Sequence, residues 1–256
     1  TFTIPQIGPF AQSTFFTGPW WLVILGIFYL FPFGFLTPWY FISLFSLGFV
    51  FLIYVVGREI GGKWLGILAA LLSAISNAAI DNSLSLWNAA ADSFLALLAL
   101  FFLIRFFKTK GLSHLFGLTF AVSLATTIHF QTVLLSPLVL IALVTTRPKL
   151  MYFVSAVAGL AIPMLPFLIF DLRFNWFWIR SVFIYLTVDQ YRFWVPNRWL
   201  TYAFDWWPAT WGYILGVSKW FGLFLIGLLS ALTIVRLREV KQHKIFYLLA
   251  LSFFLE

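Results

Sequence analysis

Three short stretches of this 256-residue chain carry side chains able to do acid–base or anion-binding chemistry. Residues 76 to 93, SNAAIDNSLSLWNAAADS, hold Asp81, Asn88 and Asp92; residues 126 to 132, TTIHFQT, hold His129 and Gln131; and the segment beginning DLRFNWFWIR at position 171 holds Asp171, Arg173 and Arg180. A carboxylate within hydrogen-bond reach of a hydroxyl can take its proton. Arginine presents a planar fork of donors that matches phosphate, and histidine can donate to phosphate with a charge that depends on pH. Asparagine hydrogen-bonds but is no base at neutral pH.

The same residues have plainer uses. Asp81 and Asn88 suit helix ends, where short polar side chains cap backbone amides. Asp171 and Arg173 suit a local ion pair, worth little when exposed, as well as a phosphate anchor. Asp92 lies four residues beyond Asn88, on the same face of a helix. It sits about one turn into an apolar run, where an acid is costly unless it faces protein or water.

The elements that must position these residues are membrane helices. The chain is 62% hydrophobic and 9% charged, with a mean hydropathy of +1.00, against about 45–50% apolar and about 25% charged residues in soluble domains. A spanning helix needs about 20 apolar residues, and stretches such as 113 to 128 and 150 to 170 lack the apolar–polar alternation of barrel strands. The expected fold is an all-α polytopic transmembrane bundle of about seven to eight spans, with an outer-face juxtamembrane helix and an aromatic-rich outer loop. Zero cysteines exclude disulfides, thiolate metal sites and a cysteine nucleophile.

Candidate spans cover about 38 to 56, 64 to 80, 89 to 107, 113 to 129, 131 to 146, 150 to 170 and 211 to 235, with another starting near 245. Basic residues fall in alternate connections: Arg58 and Lys63; Arg105, Lys108 and Lys110; Arg147 and Lys149; Arg236, Arg238, Lys241 and Lys244. The positive-inside rule makes these connections cytoplasmic, which accounts for the net charge of +8 without a nucleic-acid partner. The stretch from Leu112 to Val144 is basic at both ends, so it must cross an even number of times and turn near 126 to 132. All five aspartates, Asp81, Asp92, Asp171, Asp189 and Asp205, then fall at the outer side. Residues 20 to 31, WWLVILGIFYLF, form too short a run to span, so this segment is expected along the outer surface with Trp20 and Trp21 at headgroup level.

The chain reads as one membrane domain. Residues 1–37 form the outer juxtamembrane segment, 38–170 a six-span core, 171–210 an outer loop and 211–256 further spans. It starts at Thr1 and stops about a dozen residues into a new apolar run, so truncation at both ends is expected. In the outer loop Trp, Tyr and Phe alternate with Arg173, Arg180, Arg192 and Arg198. That pattern suits an interfacial belt with arginines reaching lipid headgroups, and equally a cover over a site for an anionic lipid-linked molecule. Lys219 is read as snorkelling to the interface, and His114 and His243 as residues of the cytoplasmic side.

Five stretches, in order, carry a family resemblance: FFTGPWWLVILGIFYLFPFG, FVFLIYVVGREIGGKWLGILAALLSAIS, SLSLWNAAADSFLALLALFFLIRFF, TIHFQTVLLSP and IPMLPFLIFDLRFN. Over most of residues 15 to 175 the chain resembles the polyprenyl-phosphate-dependent glycosyltransferases of the GT-C superfamily, the group of protein O-mannosyltransferases and bacterial aminoarabinose transferases. The resemblance implies an inverting transfer of a sugar from a polyprenyl-phosphate donor to a sugar, lipid or protein acceptor, at the extracytoplasmic face of a bacterial inner membrane. It also implies a general base in the first outer loop, upstream of Thr1. Two positions depart from the family pattern. Asn88 stands where the family often has an acid in "Leu-Thr-Asp-Met-Pro-Leu", leaving Asp81 and Asp92 as the acids of this place. His129 stands where "Thr-Lys-Gly-Pro" sets a lysine near the donor phosphate.

The expected site therefore comprises Asp81 and Asp92 as candidate acids, with Asn88, His129, Gln131, Asp171, Arg173 and Arg180 toward the donor phosphate or substrate. No cofactor is expected; a hard divalent cation held by outer-side aspartates stays open. The competing function is a membrane transporter or flippase for lipid-linked or small polar solutes, and a non-catalytic membrane scaffold is a third. Transporters concentrate polar groups near the midplane, whereas this chain places them at one interface.

Overall fold

The computed structural model describes residues 8, 16–31, 34–146, 149–189, 197–225, 227, 228 and 231. Expectations for Arg147, Arg192, Arg236, Arg238, Lys241, His243, Lys244 and the run from 245 lie outside the described residues. So do those for most of the first 15 residues and for the end of the span expected at 211 to 235.

The described residues form helices and turns and no strand. In chain order these are α1 (Trp20–Phe28), α2 (Thr37–Ala74), α3 (Asn77–Leu84), α4 (Asp92–Thr109), α5 (Leu112–Ile128), α6 (Ser136–Thr146), α7 (Leu150–Arg173), α8 (Phe177–Thr187), α9 (Arg198–Thr201) and α10 (Trp207–Leu215). Short 3-10 turns at Asn88–Ala91 and Phe130–Leu135 lead into α4 and α6. Among the described residues, three stretches are long and apolar enough to cross a membrane: Gly34–Ala74, Asn88–Thr109 and Leu150–Arg173. The apolar helices Leu112–Ile128, Phe130–Val144 and Phe177–Thr187 are shorter. This is an all-α chain whose long apolar helices fit an integral membrane protein.

The helix α2 is two arms. Gly62, at φ +85°, and Gly61 interrupt it, and a positive φ of this kind suits glycine. The arms fold back so closely that a Cβ on Gly57 would meet the Gly66 Cα at 2.8 Å, and one on Gly66 would meet the Tyr54 carbonyl oxygen at 2.6 Å. Small residues let helix backbones approach in this way inside a membrane. The second arm stops at Ala74 rather than near 80, because Ser76 is extended and α3 starts afresh at Asn77.

The centre of the bundle is α5, packed chiefly against α7 and α4. Leu115, Leu118, Ala121 and Val122 of α5 join Ala99, Leu103 and Phe106 of α4, Leu138 and Ala142 of α6, and Ala156 of α7 in the main core. Much of α7, by contrast, presents Met151, Val154, Val157, Ile162, Leu165 and Leu172 outward. In water such a surface would be an association patch; in lipid it is the expected exterior.

Contacts sort the turns into two ends. At one, Glu59 of the hairpin holds Arg105 at 3.0 Å and Lys108 at 2.6 Å, while the Tyr152 hydroxyl donates to the Lys110 carbonyl and the Ser155 hydroxyl to the Leu112 carbonyl. The first turn of α5 carries His114, 3.0 Å from the Thr109 hydroxyl. The other end gathers the start of α4, the end of α5, α1 and the turn after α7.

Four details differ from the sequence expectation. Trp21 is 3% exposed and packs with Ile42, Leu95 and Ile128 instead of facing headgroups. Its indole N–H donates to the Leu86 carbonyl, and that of Trp20 to the Pro163 carbonyl. The segment expected as an outer loop is largely helical where described, as α8, α9, a π-helical turn at Tyr202–Trp206 and α10. A helix expected to run on from 211 breaks at Gly216, at φ +67°, and resumes at 219. Lys219, just past that break, pairs with the Asp205 carboxylate rather than reaching out alone.

Candidate functional site

The end opposite the Glu59 cluster is built where the start of α4 meets the end of α5. Trp87 is extended, a 3-10 turn carries Asn88, and α4 opens with Asp92. Opposite, α5 ends at Ile128 and His129 leaves it in an extended conformation, so the chain turns inside the 126 to 132 stretch. The last carbonyls of a helix have no partner within it. One of them, Ile128 O, accepts a hydrogen bond of 2.7 Å from the buried Asn88 side-chain amide.

That bond places His129 beside Asp92. The His129 Nδ1 lies 3.9 Å from Asp92 Oδ2, and its Nε2 lies 3.1 Å from Gln131 Oε1. The Trp87 ring meets the imidazole edge-on at 6.1 Å, and the His129 carbonyl accepts from the Thr132 hydroxyl. The other carboxylate oxygen of Asp92, Oδ1, is buried and has no hydrogen-bond partner among the described residues. Such a group in an apolar bundle is expensive to leave without a partner.

The remaining candidates go elsewhere. Asp81 lies inside α3, not at a cap, and accepts a hydrogen bond from the Tyr213 hydroxyl. Ser76 donates to the Ile214 carbonyl nearby, so α10 docks on α3 through two polar contacts. Asn88 likewise caps no helix of its own, since its amide goes to α5. The helix-capping expectation therefore fails for both residues, and applies instead to Asp171. That carboxylate, 1% exposed, accepts from the Trp178 backbone amide at 2.7 Å and the Ile179 amide at 3.1 Å. It caps the start of α8 across the turn at Phe174–Trp176, so it forms no local pair with Arg173.

Arg173 and Arg180 are exposed, and neither pairs with a carboxylate among the described residues. Among the described residues no hydrogen bond or ion pair joins Asp81, Asp171 or either arginine to Asp92 and His129. The structure thus brings together Asn88, Asp92, His129 and Gln131 and gives the other four separate surroundings. Asp92 and His129 supply only two metal-binding side chains, and among the described residues no group of three or more His, Asp or Glu gathers to hold an ion.

Sequence reasoning missed the tryptophan latches. Besides Trp20 and Trp21, the Trp178 indole donates to the Phe16 carbonyl, and the Gly18 amide donates to the Thr127 carbonyl. These bonds hold residues 16 to 28 over this end of the bundle. An indole N–H buried in apolar surroundings needs an acceptor, which was the available signal; the identity of the acceptor was not.

No family model matches the chain, and no curated protein or solved structure matches it.

Proposed function

We propose that this chain is part of a membrane glycosyltransferase of the GT-C type, moving a sugar from a polyprenyl-phosphate donor to an acceptor at the extracytoplasmic face. In this reading the chain crosses the membrane seven to eight times, with residues 38–170 as a six-span core and the end bearing Asp92 and His129 facing outward. The observation that carries the proposal is the gathering of Asn88, Asp92, His129 and Gln131 at one end of an otherwise apolar bundle. A transporter would be better served by polar groups at mid-depth.

The reaction forms a bond between the acceptor hydroxyl oxygen and the sugar's anomeric carbon, breaks the bond from that carbon to the donor phosphate, and needs a base for the hydroxyl proton. The resemblance sets that base upstream of Thr1. Within this chain Asp92 is the acid suited to contact substrate, because Asp81 is engaged by Tyr213. The Gln131 amide nitrogen offers N–H groups to the leaving phosphate, held in place by His129, whose Nε2 bonds to the Gln131 Oε1, and the exposed Arg173 and Arg180 offer further cationic contacts.

The test uses the full-length protein in membranes supplied with a polyprenyl-phosphate sugar pool. Asp92→Asn and His129→Ala are each expected to lower transfer by at least about tenfold, the scale of general acid–base and oxyanion contributions. Transfer equal to wild type in both variants, at equal protein level, would overturn the assignment.

A further inference from the structure

Ser46, Asn82 and Ser93 line one small cavity from three different helices: the first arm of α2, α3 and the first turn of α4. Phe45, Phe49, Ala79, Ala90 and Phe94 complete the lining of this partly open cavity. Hydroxyls in apolar helices commonly bond the carbonyl one turn back, as Thr126 and Ser181 do here. The side chains of Ser46, Asn82 and Ser93 have no such bond, and no hydrogen-bond partner among the described residues, although Ser43 and Ser83 next to them do.

The cavity holds about 10 Å³, roughly the space a single water requires when two to four polar partners surround it. No ionisable side chain lines it, so a charged guest would have no counter-charge. We propose that this cavity is a binding site for one neutral water molecule, held by Ser46, Asn82 and Ser93. The water accepts from and donates to groups on three helices, and so fixes α3 and the start of α4 against α2. It thereby sets the relative placement of the segments that carry Asp81 and Asp92, and it does so whatever reaction the chain performs.

The experiment is a density map of the full-length protein in lipid nanodiscs at a resolution that shows ordered water, for wild type and for the S46A/S93A double variant. A peak within hydrogen-bond distance of at least two of the three side chains, lost in the double variant, is the expected result. A wild-type map that resolves other buried waters and none here overturns the proposal, as does a peak that persists in the double variant. Thermal unfolding of Ser46→Ala, Ser93→Ala and the double variant adds a second measure. The double variant is expected to lose clearly less than the two single losses combined, since one water serves both serines; strictly additive losses overturn the proposal.

Discussion

The Asn88 side-chain amide donates to the Ile128 carbonyl across 40 positions of sequence, and this one bond ties the entry to α4 to the exit from α5. The bond is buried, so its loss leaves a carbonyl without a partner. Asn88→Ala is expected to cost about 1–3 kcal/mol, the usual penalty for a buried acceptor left unmade. Asn88→Asp should cost more than Asn88→Ala, since it sets a carboxylate oxygen against a carbonyl oxygen in an apolar setting. Unfolding of the purified protein in mixed micelles measures both, and an Asp variant as stable as wild type would contradict the geometry.

A second prediction concerns α8. Because the Asp171 carboxylate accepts both the Trp178 and Ile179 amides, Asp171→Ala removes a cap worth roughly 0.5–2 kcal/mol. Hydrogen exchange at those two amides should accelerate, while exchange in the core of α5 should stay as it is. Asp171→Asn, which keeps an acceptor oxygen, is expected to restore much of the protection. Equal exchange at Trp178 and Ile179 in wild type and Asp171→Ala would remove the cap from the account.

The absence of cysteine makes the natural chain a ready background for labelling. Contacts place the Gly61–Gly62 turn, Lys110 and the start of α7 at one end, and Ser85, His129 and Asn175 toward the other. Single cysteines at Lys63 and Lys110 should share one labelling pattern with a membrane-impermeant maleimide in sealed vesicles. Cysteines at Ser85 and Asn175 should share the opposite one. Lys63 and Asn175 labelling from the same side would break the two-ended arrangement.

Much of the helical pattern was legible because apolar runs and basic turns are local signals. Gly61 and Gly62 beside Arg58 and Lys63 mark a turn, and the structure has one there. The pause at TTIHFQT follows from the basic residues that flank Leu112 to Val144, and α5 does end at Ile128. Asn88, Asp92, His129 and Gln131 were all picked out by residue type, yet nothing local says that the Asn88 amide would choose Ile128. The Asp81–Tyr213 bond spans 132 positions, and pairings of that range depend on how helices pack. Trp21 shows the opposite failure: a tryptophan near a membrane surface suits headgroups, but packing against Ile42 and Ile128 prevailed.

The unequal arms of the α2 hairpin bear on how the chain enters a bilayer. The second arm, 63–74, is roughly a dozen residues and about 18 Å long at 1.5 Å per residue, short of a hydrocarbon layer of roughly 30 Å. Alone it is a poor candidate for partitioning from the insertion machinery into lipid. With Gly57 and Gly66 in contact, the longer arm supplies a partner that shields the shorter one's backbone. Integration of this region is therefore expected to proceed as a pair, after both glycine-bearing segments have emerged, and not one helix at a time.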